Sequence, residues 1–338
     1  MSQNEYAELK RRVSSAGLLE KQPGSAIRII LINLLLLAIC IAIYASLRSL
    51  WIVALNTILF SFITGQFGFV MHDSGHRQMF RRPWVNTLVG MLHANLLLGI
   101  SYGAWVRKHN QHHAHPNHVD LDPDIDIPVI AFSEEQALAK RGVARWIVTY
   151  QAFFFLPLLC LQATSMQLSA VMALVADPPR HRWSERGLVA AYWLLNLGLP
   201  LWLLGPQATL VILAIRQTLS GIYLASVFAP NHKGMPLIDE HSELDFLRTQ
   251  VITSRNIKAH PLTDFWYGGL NYQIEHHLFP TVPRANLRQL QAIIKAFCAE
   301  RGISYYETSA AQSYREILSY LHQVSAPLRA RQVAPAAD

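Results

Sequence analysis

Charge is scarce in this chain. Asp, Glu, Lys and Arg make up 15% of its 338 residues, against about 25% in ordinary soluble domains. Cysteine is scarcer still: Cys40, Cys160 and Cys298 are the only three, far apart and without CxxC spacing. No disulfide framework or thiolate metal site is implied; Cys40 and Cys160 fall in apolar runs and read as small core or lipid-facing residues. Residues 1–25, "MSQNEYAELKRRVSSAGLLEKQPGS", are polar and mixed in charge. They lack the apolar stretch of a signal peptide, so the N-terminus is expected to stay in the cytosol. No basic module or recognition motif accompanies the net charge of +7, and nucleic acid is not an expected partner. Lys and Arg instead collect on the cytoplasmic flanks of membrane spans.

What the chain has is apolar sequence pooled into long runs. Residues 28–47 hold one charge and residues 52–71 hold none; runs of about 20 apolar residues match the hydrocarbon thickness of a bilayer. Four further stretches, about 84–104, 147–176, 187–204 and 207–229, are apolar enough to consider. Their flanks sort them. Lys21 and Arg28 precede the first run and "HRQMFRRP" follows the second, with the single Arg48 between, which makes a hairpin with both ends cytosolic. Segments 84–104 and 147–176 have basic residues on both sides and are expected to dip in and return or to lie along the interface. Segments 187–204 and 207–229 form a second hairpin joined by the uncharged "LGPQAT". The expectation is an all-α integral membrane fold and a single domain over residues 1–338. It has four transmembrane helices, two interfacial or re-entrant segments, and a cytosolic helical cap over 230–326 that holds a metal site. "RANLRQLQAIIKAFCAERG" has helical periodicity, and the last dozen residues read as a frayed tail.

Histidine stands out against this background. "HNQHHAHPNH", residues 109–118, holds five of the fifteen in the chain. "HDSGH" places His72 and His76 where the second span ends, His232 follows the fourth, and "NYQIEHHLFP" carries His276 and His277 with Gln273. All four sites fall on one predicted face of the bilayer. His72 and His76 are i and i+4 and share a helix face. His109 has partners at i+3 and i+4, and those neighbours, His112 and His113, diverge by about 100° of helical turn, so one helix can address two ions. Eight histidines are too many for one ion, since a zinc site takes about four protein ligands; two ions are the simplest count. Imidazole suits Zn, Cu, Fe and Ni. A dinuclear nitrogen-rich site beside lipid favours iron and O2, without excluding zinc.

The trio HxxxH, HxxHH and QxxHH resembles the histidine boxes of membrane fatty acid desaturases. Here it reads His72-Asp73-Ser74-Gly75-His76, His109-Asn110-Gln111-His112-His113 and Gln273-Ile274-Glu275-His276-His277. The likeness spans roughly residues 28–300, and "QIEHHLFP" resembles the front-end and acyl-lipid subgroup. It implies two iron ions, O2 as co-substrate and dehydrogenation of an acyl chain carried as an acyl lipid, acyl-CoA or acyl carrier protein. His232 matches the place of an extra ligand, and Gln273 is a candidate to bind iron directly or through water, with a structural role as the alternative. Asp73 and Glu275 are candidates to accept the free N–H of a ligating ring. Many members of that subgroup carry a fused cytochrome b5 domain. Here the stretch before the first run is short and holds no HPGG, so electrons are expected from a separate ferredoxin- or cytochrome b5-type donor.

Other residues read more plainly. His115 and His118 match no family position and read as loop residues or outer partners of the ligands, His93 as a hydrogen-bonded membrane histidine, and "DLDPDIDIP" as a solvated turn with caps. Arg81, Arg82, Arg107, Lys108 and Lys233 flank the expected cap entrance and could hold a phosphorylated acyl carrier or an acidic donor, although the orientation rule already accounts for them. The nearest rival function is a lipid hydroxylase on the same scaffold. A membrane metal or haem carrier and a membrane zinc hydrolase are more distant. Carriers put polar groups near the bilayer midplane, whereas these histidines gather at one edge. Integral placement is expected in the plasma membrane of a bacterium or the endoplasmic reticulum of a eukaryote, with both termini and the metal site cytosolic.

Overall fold

The computed structural model describes residues 2–46 and 49–333; Leu47 and Arg48, in the expected turn of the first hairpin, lie outside them. The chain is overwhelmingly helical. Helix α1 (Ser2–Ser15) precedes two long apolar helices, α2 (Pro23–Ser46) and α3 (Leu50–Gly75). At about 1.5 Å per residue, each is long enough to cross a bilayer. Leu31, Leu35 and Ile41 of α2 are more than half exposed, as suits a lipid-facing side. The apposed faces are polar: Asn56 donates to the Cys40 carbonyl at 2.9 Å, and Tyr44 and Thr57 share a hydrogen bond of 2.8 Å. Buried polar groups without water must pair in this way.

Helix α4 (Pro83–Met91) starts with proline at its first position, where no N–H is needed, and continues as a π-helical stretch over Leu92–Leu98. The chain then breaks at Gly99 (φ 72°) and bends by 109° into α5 (Tyr102–Ala114). The apolar segment expected over 84–104 thus ends at this break, and its last residues already belong to the helix carrying the second histidine box. Glu185 fixes the break. Its buried carboxylate accepts from Ser101 Oγ (2.7 Å), Asn95 Nδ2 (3.0 Å) and the Gly103 N–H (3.2 Å) at the start of α5.

The segment expected over 147–176 is not one element. After the short α6 (Glu134–Ala139) come α7 (Gly142–Thr149), α8 (Gln151–Leu159) and α9 (Gln162–Ala176), with a 103° bend between α7 and α8. Pro157 lies inside α8, lacks a ladder N–H, and precedes the helix end by two residues. Helix α10 (Arg182–Trp193) runs through a π-helical stretch, Leu194–Gly198, into α11 (Leu199–His232), which is two helical segments joined across a kink at Gly205 (φ 78°, ψ 173°). By length and apolarity three helices among the described residues could cross a membrane, or up to five if each bent pair counts as one. The 51-residue stretch Arg182–His232 doubles back. Arg216 donates to Asn196 and to Tyr192, and Gln167 touches both Tyr192 (2.7 Å) and Gln217 (2.6 Å). On one straight helix, residues 196 and 216 would be about 30 Å apart.

The remaining chain folds over the α3, α5 and α11 ends. It comprises α12 (Phe246–Ile252), β1 (Asn256–Ile257), α13 (Pro261–Tyr267), α14 (Gln273–Leu278), α15 (Leu287–Glu300), β2 (Glu307–Thr308), α16 (Ala310–Val324) and α17 (Ala326–Val333). β1 and β2 pair in parallel, Asn256 opposite Glu307. The amphipathic α15 buries Leu290, Ile294 and Phe297 against Leu9 and Val13 of α1, so the polar N-terminal stretch is a packed helix. The start of the tail is packed where fraying was expected: α17 buries Leu328 at 1% exposure. Residues 334–338 lie outside the described set.

Candidate metal centre

Four chain segments bring eight imidazoles together. His72 and His76 face the same way from the last turn of α3, their ring centroids 4.8 Å apart. His109 of α5 lies 4.9 Å from His76, and His276 of α14 lies 4.6 Å from His72. One nitrogen of each of these four rings falls within 4.8 Å of the others. A second group, His112, His232 and His277, meets the same criterion. His113 stands between the groups, 4.5 Å from the His76 ring and 4.2 Å from the His277 ring, with its Nε2 3.1 Å from that of His276. His276 and His277, adjacent in sequence and so about 100° apart round a helix, go to different groups. Helix α5 likewise sends His109 to one group and His112 to the other.

Four of the eight rings are oriented by a partner on Nδ1. His112 Nδ1 lies 2.9 Å from the Asp122 carboxylate, His277 Nδ1 2.8 Å from Gln250 Oε1, His232 Nδ1 3.1 Å from the Thr253 carbonyl and His72 Nδ1 3.2 Å from Asp73 Oδ1. Each contact places the N–H on Nδ1 and leaves a lone pair on Nε2. Arg284 holds Asp73 in turn, at 2.7 Å. Asp73 thus lies where a carboxylate can accept the His72 ring N–H. Glu275 does not follow suit: its buried carboxylate accepts from Asn256 (2.6 Å) and Tyr305 (2.9 Å) and faces the β1–α15 side. Burial pushes that carboxyl up to about 7. Gln273 reaches the second group with its amide nitrogen, 2.9 Å from His232 Nε2, because Asn231 Nδ2 donates to its Oε1 at 2.9 Å. As placed, Gln273 donates to His232, and its oxygen is turned away.

Sequence reasoning missed Asp122, Gln250, Thr253 and Arg284. The acidic run was read as a solvated turn, and part of it is: Asp122 accepts from the Asn117 and Asp124 N–H groups, as a turn carboxylate does. The same side chain is fully buried and touches His112. Gln250 and Thr253 lie twenty or more residues from any box, and Arg284, seven residues past the third, pairs with Asp73 of the first; no spacing points to them. Trp105, just past the apolar stretch 84–104, stacks on His109 at 4.5 Å. It also explains the glycine of "HDSGH", since a Cβ at Gly75 would stand 2.7 Å from the Trp105 ring. His115 and His118 pair loosely outside the cluster, with centroids 6.2 Å apart. His93 donates to the Val89 carbonyl at 2.8 Å, as expected of a membrane histidine. Arg81, Arg107 and Lys108 form ion pairs with Glu20, Asp177 and Asp124, and Lys233 donates to the Asp124 carbonyl, so these four cations are already engaged within the chain.

The donor set fits a pair of metal ions. Burial first, and then the neighbouring rings, hold His109, His113, His276 and His277 well below the usual imidazole range. They are neutral and carry lone pairs. His76 Nε2, His113 Nδ1, His276 Nδ1 and His277 Nε2 are buried without a hydrogen-bond partner. An unsatisfied buried polar atom costs about 1–3 kcal/mol, and so many in one cluster indicate ligation. An all-nitrogen set without thiolate suits Fe, Zn, Cu or Ni.

Long apolar helices that gather imidazoles from four segments into one buried centre define a helical membrane protein of the histidine-cluster kind. The chain belongs to the fatty acid desaturase family, whose model matches residues 48–309. It is 34% identical over 310 residues to an acyl-lipid (9-3)-desaturase of Physcomitrium patens, covering 88% of this chain and 58% of that protein. It is 29% identical to a Delta(5) fatty acid desaturase of Caenorhabditis elegans, covering 89% and 69%. With a Delta(8)-fatty-acid desaturase of Euglena gracilis the identity is 30%, covering 76% and 64%. The chain thus spans less than two thirds of the moss and Euglena proteins.

Proposed function

We propose that this protein is a di-iron, O2-dependent desaturase that places a double bond in the acyl chain of a lipid. The observation that carries the reading is the division of the box histidines into two touching groups. His72, His76, His109 and His276 would hold one ion and His112, His232 and His277 the other, with His113 between them. The reaction balances as –CH2–CH2– plus O2, two electrons and two protons, giving –CH=CH– and two waters. A pair of irons supplies O2 activation and the oxidising power to cleave an unactivated C–H bond.

The chain's own residues position and exclude. Asp122, Asp73, Gln250 and the Thr253 carbonyl keep Nδ1 protonated, so that the opposite nitrogens point inward. Gln273 donates a hydrogen bond at the His232 side of the second group. Trp105 walls the centre, and burial of the rings keeps water away from the reacting carbons. The two electrons come from a separate ferredoxin- or cytochrome b5-type donor. The acyl group arrives as an acyl lipid, acyl-CoA or acyl carrier protein, and the names of the relatives favour the first. In this reading the domain is single, four helices cross the membrane, and residues 230–326 cap the centre on the cytosolic side together with both termini.

The test is expression in a host of known lipid composition, followed by mass spectrometry of its fatty acids. Desaturation appears as acyl chains short of two hydrogens. Chains that gain one oxygen would assign the protein as a hydroxylase. An unchanged lipid profile with a reduced donor present, or activity restored by zinc in place of iron, would overturn the proposal.

A further inference from the structure

The last turn of a helix leaves its carbonyls without partners, and α11 ends on His232. In this structure the four final carbonyls are all taken from outside the helix. Arg255 Nε donates to the Pro230 carbonyl, the Arg255 backbone N–H to that of Asn231 at 2.9 Å, Asn117 Nδ2 to that of His232 at 3.2 Å, and Arg255 Nη2 to that of Lys233. Arg255 is the largest fully buried side chain among the described residues, 1% exposed. Its counter-ion is Glu316 of α16, which also accepts from Tyr306. A cation at a helix C-terminus favours the local dipole. Asn117 sits in the left-handed region (φ 57°) and also donates to the Thr253 carbonyl, the group that accepts from His232 Nδ1.

We propose that Arg255, held by Glu316 and assisted by Asn117, is a positioning residue that fixes the end of α11 and so aims the His232 ring into the second histidine group. The C-terminal helix α16 thereby acts on the centre from its far side, although it contributes no ligand. The inference rests on the reading of His232 as a metal ligand. It predicts unequal damage: weakening this clamp frees the ion at His112, His232 and His277 and spares the one at His72, His76, His109 and His276.

The experiment uses the full chain purified in detergent, loaded with iron(II) and then challenged with a chelator while iron per chain is followed by mass spectrometry. The unmodified protein should retain two irons. Glu316→Gln, a change on a partly exposed helix face that leaves the fold intact, should weaken one of the two sites by about 10- to 100-fold, the usual cost of losing an outer partner of a ligand. Arg255→Gln should do the same or more, and Arg255→Lys should recover part of the loss. Lys295→Gln, which breaks an exposed ion pair with Glu307, should retain both irons. Two irons held with unchanged affinity in both Glu316→Gln and Arg255→Gln would overturn the positioning role and leave the proposed function standing. Equal loss of both irons in Glu316→Gln with its helicity intact would also overturn it. An unmodified chain that retains no metal would overturn both.

Discussion

Four imidazoles in the centre have Nδ1 held by a partner, which directs the lone pair on the opposite nitrogen. Asp122 shows this most clearly, because it does two jobs with one carboxylate: it accepts from His112 Nδ1 and caps the turn through the Asn117 and Asp124 N–H groups. Asp122→Ala removes all three bonds and should lower metal affinity by about 10- to 100-fold. Asp122→Asn keeps one acceptor oxygen and should lose less. Chelator competition measures both, and an Ala variant that binds as tightly as the parent would remove Asp122 from the centre. His115→Ala is the contrast. That ring lies outside both groups and is exposed, so stability should move by no more than about 0.5 kcal/mol and iron content should not change.

Helices α3 and α11 carry His72, His76 and His232, and the centre exists only if the two pack closely. Glycine makes that approach possible: a Cβ at Gly65 would lie 2.0 Å from the ring of Tyr223, whose hydroxyl accepts from Gln66 at 2.6 Å. Gly65→Ala must push the helices apart or drive Tyr223 out of its place. Overpacking of this kind costs about 1–3 kcal/mol. Thermal unfolding in detergent should shift downward and iron content should fall together with it; an unchanged midpoint would show that the interface yields freely. The cap has its own weak point at α1. Leu9 is fully buried against α15, and Tyr6 donates to the Leu278 carbonyl one residue past His277. Leu9→Ala should cost about 2–5 kcal/mol and loosen α14, read as faster loss of iron. If the variant unfolds and releases metal like the parent, α1 is not bracing the third box.

At the scale of the whole molecule the centre is itself a source of stability. Ions bound to the folded chain and not to the unfolded one add free energy by mass action, about 2.7 kcal/mol at a hundredfold excess over Kd. Chelation should therefore lower the unfolding temperature and iron(II) should restore it; indifference to chelator would argue against a resident metal. The proposed topology puts both termini on one side, so tags at either end should be digested together, or protected together, in sealed vesicles. Much of this was legible beforehand, for a physical reason. Bilayer thickness writes itself into the length of apolar runs, and helical pitch writes itself into the spacing of His72 with His76 and of His109 with His112 and His113. These are local rules, and the sequence by itself determined the helical membrane class, the box histidines and the family they resemble. What it could not determine depends on contacts between residues far apart in the chain. The break at Gly99 that redirects α4 into α5 is fixed by Glu185, eighty-odd residues away. The fates of Asp122 and Glu275, one turned to a histidine and one turned from it, follow from what packs beside each. Arg255 reaches the end of α11 only after the chain has folded back over it. Only the tertiary structure decided these, because the partner that satisfies a buried polar group is chosen by proximity in space, and spacing along the chain does not encode it.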